Sequence, residues 1–211
     1  MSGNDLTSSL HRTAVRHLRN VDPAFAALIE RVGPCRLERR DSGTHFGYVI
    51  RCIVGQQLSG KAAATIHGRV MALYGDRSPL PSELLKTKDP VLRAAGLSGR
   101  KVEYVKALAE RTQRGELAVE RIHEMDDAAV LETLTSVRGI GRWTAQMVLL
   151  FRLGRPDIFP ELDLSIQKAV QQLLRMRKPP EPKKLMKISE RWSPYRSVAT
   201  WYLYRSLEVE G

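Results

Sequence analysis

The sequence feature that most restricts the fold is a short glycine-containing turn between two apolar helical segments. Residues 139 to 141 read Gly-Ile-Gly, and such glycines permit a positive φ and the close approach of another backbone. Residues 128–136 carry apolar side chains at helical spacing, and residues 143–153 are apolar nearly all round, which is typical of a buried central helix. The pattern predicts two helices joined by a compact hairpin over residues 131–153.

The rest of the chain also reads as helix after helix, with no convincing run of alternating strand residues. The sequence therefore predicts an all-α fold. Residues 178–182, Lys-Pro-Pro-Glu-Pro, read as a short stiff linker between the last two long helices. Candidate helix caps are Ser59, Ser98, either Asp126 or Asp127, and Asp163, and Pro194 is expected to open the last helix. The other predicted helices cover residues 6–18, 24–32, 46–54, 60–73, 101–111 and 164–174.

The charge balance favours a polyanionic partner. The chain has 34 Lys and Arg against 23 Asp and Glu, a net charge of +11, although charge alone also fits a basic protein with no nucleic-acid role.

Cys35 and Cys52 form no C-x-x-C pair, so we expect free thiols and no metal bound by side chains. With no apolar run of about 18 residues and no signal pattern, we expect no membrane association and a cytoplasmic, nucleoid-associated protein.

The hairpin has the features of a phosphate clamp. Backbone N–H groups at the start of the second helix suit a phosphate oxygen, and the flanking arginines add positive charge. Ile140 is expected to plug into the core and fix the turn. Such a clamp holds duplex DNA by its backbone and reads no base. The residues predicted to bind the DNA backbone are Arg138, Gly139, Ile140, Gly141, Arg142 and Thr144.

Four ordered motifs resemble those of a known enzyme family. Residues 134–145 follow the order L-x-x-V-x-G-I-G-x-x-T-A, which resembles the signature of helix-hairpin-helix DNA-binding proteins. With Phe-Pro-x-x-Asp-Leu at 159–164, the hairpin resembles the 3-methyladenine DNA glycosylase II family. Residues 55–59 resemble its DNA-wedge loop and residues 191–197 its C-terminal motif. The resemblance covers about residues 46–207.

This resemblance implies a fold and a domain organisation. The expected fold is a two-lobed helical bundle with a DNA cleft between the lobes, formed by one domain over residues 1–211. Better-known members of the family carry an extra sheet domain before the helical core. Only 45 residues precede Phe46 here, and they read as helical or irregular. We therefore expect a minimal form without a separate N-terminal sheet domain.

Asp163 is the candidate catalytic residue. It lies 22 residues beyond Gly141, and its simplest role is that of a helix cap. The resemblance adds the role of the catalytic acid, a carboxylate that stabilises the oxocarbenium-like sugar as the base leaves. Family members that also cut the strand carry a lysine two residues after the second hairpin glycine. This chain has Trp143 there, so a monofunctional enzyme without lyase activity is expected.

Aromatic and amide side chains complete the expected site. The resemblance places Trp143 and Tyr204 in the base pocket, where indole stacks on a cationic purine. Trp201, one turn from Tyr204, is the other candidate for the second aromatic wall of the base pocket. For each of these aromatic residues the alternative is packing in the core. Gln57, with Leu58 beside it, occupies the wedge position that would fill the gap left by a flipped base. The alternative is a loop that links two helices and does not contact DNA.

The expected function is excision of alkylated bases, of the 3-methyladenine and 7-methylguanine type, from double-stranded DNA in base excision repair. No cofactor is expected to be required, although the family often binds a monovalent cation on hairpin backbone carbonyls. We expect a monomer, because one active site suffices. Two alternatives stay open: a non-catalytic helix-hairpin-helix DNA-binding module and a glycosylase for a different lesion. A pocket rich in aromatic residues and poor in amides favours cationic bases.

Overall fold

A computed structural model describes the backbone of residues 3–40 and 42–209, and the side chains of residues 9–40 and 42–208. Within this part every regular element is helical, which confirms the predicted all-α class. The first two and last two residues of the predicted 1–211 domain lie outside the described residues. None of the described helices is long and apolar enough to cross a bilayer.

The α-helices, in chain order, are α1 (Gly3–Val21), α2 (Pro23–Val32), α3 (His45–Gly55), α4 (Gly60–Ala72), α5 (Pro81–Lys86), α6 (Asp89–Ala94), α7 (Gly99–Gln113), α8 (Asp127–Thr135), α9 (Arg142–Met147), α10 (Leu164–Leu173), α11 (Pro182–Ser189) and α12 (Arg196–Val209). They form two compact units. Unit 1 comprises the described residues of Met1–Arg39 and Gly154–Gly211, and unit 2 those of Arg40–Leu153. The helices α1, α2 and α10 to α12 belong to unit 1, and α3 to α9 belong to unit 2.

The predicted caps begin their helices as expected. Each cap side chain accepts a hydrogen bond from a backbone N–H of the first turn, which would otherwise have no partner within the helix. Of the two candidates for α8, Asp126 is the cap. The cap-to-helix bonds run from Ala62 to Ser59, from Lys101 to Ser98, from Ala129 to Asp126, and from Ser165 and Ile166 to Asp163.

Trp192 lies at the centre of the unit 1 core. Its side chain is fully buried and its ring centroid lies 4.8 Å from that of Phe25 and 5.6 Å from that of Phe159. The indole N–H donates to Oδ2 of Asp22 at 3.0 Å, so the one polar atom of the ring is satisfied. This tryptophan therefore packs α2 and the segment that carries Phe159 around a common core, in keeping with a structural role.

Unit 2 is built around α3. Its residues 49, 50, 53 and 54 are fully buried, because apolar side chains cover most of its circumference. Arg152 is also buried, and its guanidinium donates to the carbonyls of Arg40, Ser42 and Gly43. These bonds fix the start of unit 2 against the end of the second hairpin helix.

Besides small shifts at helix ends, three features differ from the sequence prediction. The predicted helix 143–153 is α-helical only to Met147 and continues as a π-helix, Val148–Arg152. The last helix begins at Arg196, not at Pro194, because Asp157 Oδ1 accepts the Arg196 N–H at 3.2 Å. The prolines of residues 178–182 suggested a linker throughout, but the third of them, Pro182, opens α11, since proline is well tolerated at a first helical position.

Candidate active site and nucleic-acid interface

Asp163 is held rigidly at the start of α10 in unit 1. Its Oδ1 accepts the N–H groups of Ser165 at 2.7 Å and Ile166 at 3.1 Å. The residue is only 9% exposed, whereas its neighbours Leu162 and Leu164 are 48% and 78% exposed. The predicted cap is thus a fixed carboxylate between two exposed apolar side chains.

The second carboxylate oxygen is engaged by α12. The hydroxyl of Tyr204 donates to Asp163 Oδ2 at 2.8 Å, so both oxygens accept hydrogen bonds and the side chain is held at two ends. The sequence predicted Tyr204 as an aromatic wall of the pocket. It did not predict the hydrogen bond from the Tyr204 hydroxyl, because that bond depends on the packing of α12 beside α10.

Trp201, the rival of Tyr204, lies mostly inside unit 1. It is 8% exposed, its ring meets that of Tyr202 edge-on at 4.9 Å, and the Arg205 guanidinium lies 5.6 Å from its centroid. Of the two aromatic candidates on α12, Tyr204 is therefore the one that contacts Asp163.

The motif at residues 191–197 organises unit 1. Arg196 donates from Nε and a terminal nitrogen to the two oxygens of Asp157, both at 2.7 Å, and Ser193 donates to the same carboxylate at 2.8 Å. Although burial alone would raise it, these bonds hold the pKa of Asp157 below its ordinary value. Arg196 and Ser193 of the motif thus fix the start of α12, the helix that carries Tyr204.

The hairpin in unit 2 requires its first glycine. Gly139 has a φ of +86°, and a Cβ on it would lie 2.1 Å from Cγ of Tyr104. Gly141 is different: its φ is −88°, and a Cβ there would meet nothing within 4 Å. The fold thus needs a glycine at 139, whereas at 141 the missing side chain only leaves room on the surface.

The outer face of the hairpin is open and positively charged. Residues 135–141 line a shallow concavity of about 470 Å³. Gly141, at the N-cap position of α9, provides no side-chain cap, and Arg142 beside it is exposed. The side chain of Arg138 is 74% exposed and pairs with Glu103 at 2.9 Å, so part of its charge is already compensated.

Two residues predicted to bind the DNA backbone have their side chains buried inside the hairpin. Ile140 is 3% exposed, and its N–H donates to the Val137 carbonyl at 3.0 Å. Thr144 is 2% exposed, and its hydroxyl accepts a bond from Gln56 at 3.0 Å. The expected plug role of Ile140 is confirmed. Because both side chains are buried, either residue would meet a phosphate through its backbone, and its role in binding DNA stays a prediction.

The predicted wedge residues lie on an exposed turn between α3 and α4. Gln57 is exposed, with a φ of +58°, and Leu58 is 38% exposed. A left-handed backbone at a glutamine costs about 1 kcal/mol or more and is often found where a side chain must be presented for function. The turn presents both side chains to solvent, as a wedge requires.

Two residues that sequence reasoning missed hold this turn in place. The Gln56 side-chain amide donates to the Gly139 carbonyl at 2.9 Å and to Thr144, which joins the turn to the hairpin. The Lys101 ammonium donates to the carbonyls of Val54 at 2.7 Å and Gln56 at 2.9 Å, and burial lowers its pKa. Gln56 lies within the wedge motif and could have been noticed; Lys101 could not, because it is distant in sequence.

The half-buried Trp143 is the second residue of α9. No lysine occupies this position, so the hairpin helix presents an indole and not an amine.

Among the described residues no cluster of His, Cys, Asp and Glu could hold a metal ion, and Cys35 and Cys52 are free thiols.

Comparison with known proteins agrees with this arrangement. The family model of HhH-GPD superfamily base excision DNA repair proteins matches residues 50–194. DNA-3-methyladenine glycosylase 1 of Schizosaccharomyces pombe is 33% identical over 97% of this chain and 91% of its own length. The alkylbase DNA glycosidase-like protein mag2 of the same organism is 27% identical over 92% of this chain and 93% of its own.

A solved structure shares the fold closely. It is that of 3-methyladenine DNA glycosylase from Schizosaccharomyces pombe in complex with abasic DNA, with a TM-score of 0.88 and 34% identity. The match covers 93% of this chain and 97% of that one.

Proposed function

Because the chain belongs to the HhH-GPD superfamily of base excision DNA repair proteins, we propose that it is a monofunctional DNA glycosylase that releases alkylated bases from double-stranded DNA. The observation that carries this proposal is the carboxylate of Asp163. It is nearly buried, fixed at one oxygen by the start of α10 and at the other by Tyr204. An anion held in this way is suited to stabilise a positive charge that develops beside it.

The chemistry follows from the charge of the substrate. In an alkylated purine the C1′–N bond breaks with its electron pair left on the base, so a cationic base departs neutral. The sugar becomes oxocarbenium-like, and Asp163 stabilises that charge. A water oxygen then bonds to C1′, and its proton passes to the carboxylate or to solvent. The products are a free base and an abasic site in an intact strand.

Trp143 determines which reaction is available. Strand cleavage through a Schiff base needs an amine, and the position supplies an indole. An indole face can instead stack on a flipped, electron-poor purine. The named activities of the similar proteins, 3-methyladenine and alkylbase glycosylases, support this choice of lesion over a deaminated base.

The hairpin and the wedge turn are the elements that would bind the DNA. Backbone groups near Gly141, with Arg142 beside them, bind phosphate, and Gln57 with Leu58 fills the space of the extruded base. Gln56 joins the two elements directly, so a duplex seated on the hairpin meets the wedge turn in a fixed register.

A monovalent cation fits the outer concavity of the hairpin. The Ser136 carbonyl already accepts from Arg111, and that of Gly139 accepts from Gln56. The carbonyls of residues 137 and 141 also accept backbone N–H groups, so those of residues 135, 138 and 140 would hold the ion, which would add positive charge toward a phosphate.

Methylated duplex DNA tests the proposal. Free base is measured by chromatography, and strand continuity is measured before and after alkali. Release of 3-methyladenine or 7-methylguanine from strands that break only after alkali is expected. Breakage without alkali would contradict the monofunctional assignment. DNA binding without release of any base would favour a non-catalytic module, and release only from duplexes with a deaminated base would favour a different lesion.

A further inference from the structure

A dense group of cations follows α10 in unit 1. Residues 175–187 contain six Lys and Arg and one carboxylate, Glu181. All six cations are exposed. We call this group the basic surface; its members are Arg175, Arg177, Lys178, Lys183, Lys184 and Lys187.

These cations differ from many others in the protein because no carboxylate neutralises them. Within the described part of the chain none of the six lies within ion-pair distance of an Asp or Glu, whereas several cations elsewhere do. Those paired cations include Arg77 with Glu83, Lys106 with Asp89, Arg121 with Glu124, and Arg138 with Glu103. The basic surface therefore projects its full charge into solvent.

The stability of α11 explains Lys187, a cation in its last turn, but not its two N-terminal lysines. Lys183 and Lys184 lie in the first turn, which contains no acidic residue, and the N-cap Glu181 makes no side-chain capping bond. A cation at a helix N-terminus is destabilising, because that end already carries a partial positive charge. The opposite face packs inward through the fully buried Leu185 and Ser189. The helix thus presents the two lysines of its first turn outward where the fold gains nothing from them.

The backbone that carries Arg175 is well ordered by its own hydrogen bonds. Arg175 takes a left-handed φ of +51°, its N–H donates to the Gln172 carbonyl at 3.1 Å, and the Met176 N–H donates to that of Gln171 at 2.9 Å. One cation here is favourable for the C-terminus of α10; with Lys187 in the last turn of α11, helix stability accounts for two of the six cations and not for the other four.

We propose that the basic surface binds the phosphodiester backbone of duplex DNA beside the lesion, an inference that rests on the proposed function. It begins at the far end of α10, the helix that Asp163 caps. The ten residues of α10, at a rise of about 1.5 Å per residue, separate Asp163 from the end of the helix, where the basic surface begins, by about 15 Å. That distance corresponds to roughly four to five base pairs. The contact is independent of sequence, since it uses charge and not base edges.

Salt-dependent binding to undamaged duplex DNA of roughly 20 base pairs tests the proposal. The test variant is Lys183→Gln, Lys184→Gln, Lys187→Gln. The control, Lys86→Gln, Lys88→Gln, Arg93→Gln, removes the same charge from three exposed residues of unit 2. Loss of three phosphate contacts should make the slope of log Kd against log salt shallower by about 2 to 3. The control should keep the wild-type slope.

A second readout separates binding from folding. The melting temperature of the test variant should equal or exceed that of the wild type, because two cations have left a helix N-terminus. A shallower slope in a protein of undiminished stability would support the proposal. A wild-type slope in the test variant, or an equal change in the control, would overturn it. A wild-type protein that fails to bind duplex DNA at all would instead overturn the proposed function on which it rests.

Discussion

The hydroxyl of Tyr204 donates a hydrogen bond of 2.8 Å to Oδ2 of Asp163. The opposite oxygen of the same carboxylate is engaged by the first turn of α10. α12 and α10 therefore fix one acidic side chain from two directions, and α12 is itself anchored by the pairing of Arg196 with Asp157. Much of unit 1 thus serves to place one carboxylate.

Removal of the Tyr204 hydroxyl should reduce the rate of base release more than substrate binding. In Tyr204→Phe the ring stays and one bond to a charged group is lost, so kcat should fall by about 10-fold or more with KM little changed. Tyr202→Phe is the control on the same helix, because that hydroxyl donates to the Gly33 carbonyl at 2.9 Å. An equal fall in kcat for both variants would show that the effect is structural and not specific to Asp163.

Gly139→Ala should destabilise the protein. The new methyl would overlap the Tyr104 ring at a φ that disfavours a side chain, so we expect a loss on the order of 1–3 kcal/mol in the free energy of unfolding. Gly68→Ala, within α4 and with nothing near the added Cβ, should be neutral or stabilising by up to about 1 kcal/mol. Denaturant unfolding measures both; equal stability of the two variants would contradict the steric account.

Gly141→Ala should separate folding from DNA binding. The added Cβ has open space and an ordinary φ, so the melting temperature should not change. If a phosphate approaches the backbone here, the methyl group should weaken duplex binding by about 10-fold, the equivalent of one charged hydrogen bond. Unchanged affinity, measured by fluorescence anisotropy, would place the phosphate elsewhere.

Lys101→Met should loosen the wedge turn. Methionine fills similar volume but leaves the Val54 and Gln56 carbonyls without their donor, which should cost about 1–2 kcal/mol of stability. With the turn less fixed, the variant should extrude a base less effectively, as should Gln57→Ala. The fluorescence of 2-aminopurine placed in the duplex reports this step. A Lys101→Met protein with wild-type fluorescence changes would show that the lysine supports the fold alone.

Local signals in the sequence predicted much of the fold. Ser59, Ser98 and Asp163 cap their helices because each offers an oxygen to a first-turn N–H, a property of the residue and its immediate neighbours. The α9 segment was predicted as one helix, but its π-helical end depends on packing, which periodicity does not report.

The site residues likewise divide into those with a local signal in the sequence and those placed by contacts between distant parts of the chain. Asp163 and Gly139 occupy positions fixed by short motifs, and their local roles could be predicted. The Gln56–Gly139 and Lys101–Val54 bonds link residues separated by 83 and 47 positions, so no local pattern contains them. Thr144 is buried and makes the same kind of long-range contact with Gln56, which the hairpin motif alone does not report.

The most direct test of the account is the rate of base release by Asp163→Asn, measured under enzyme excess on a duplex with one alkylated base. Asparagine caps helices about as well as aspartate, so folding and DNA binding should be retained. Asp126→Asn, at the equivalent cap of α8, is the control. We expect a fall of about 100- to 1000-fold for Asp163→Asn and none for the control. A folded, DNA-binding Asp163→Asn protein that releases the base at the wild-type rate would contradict it.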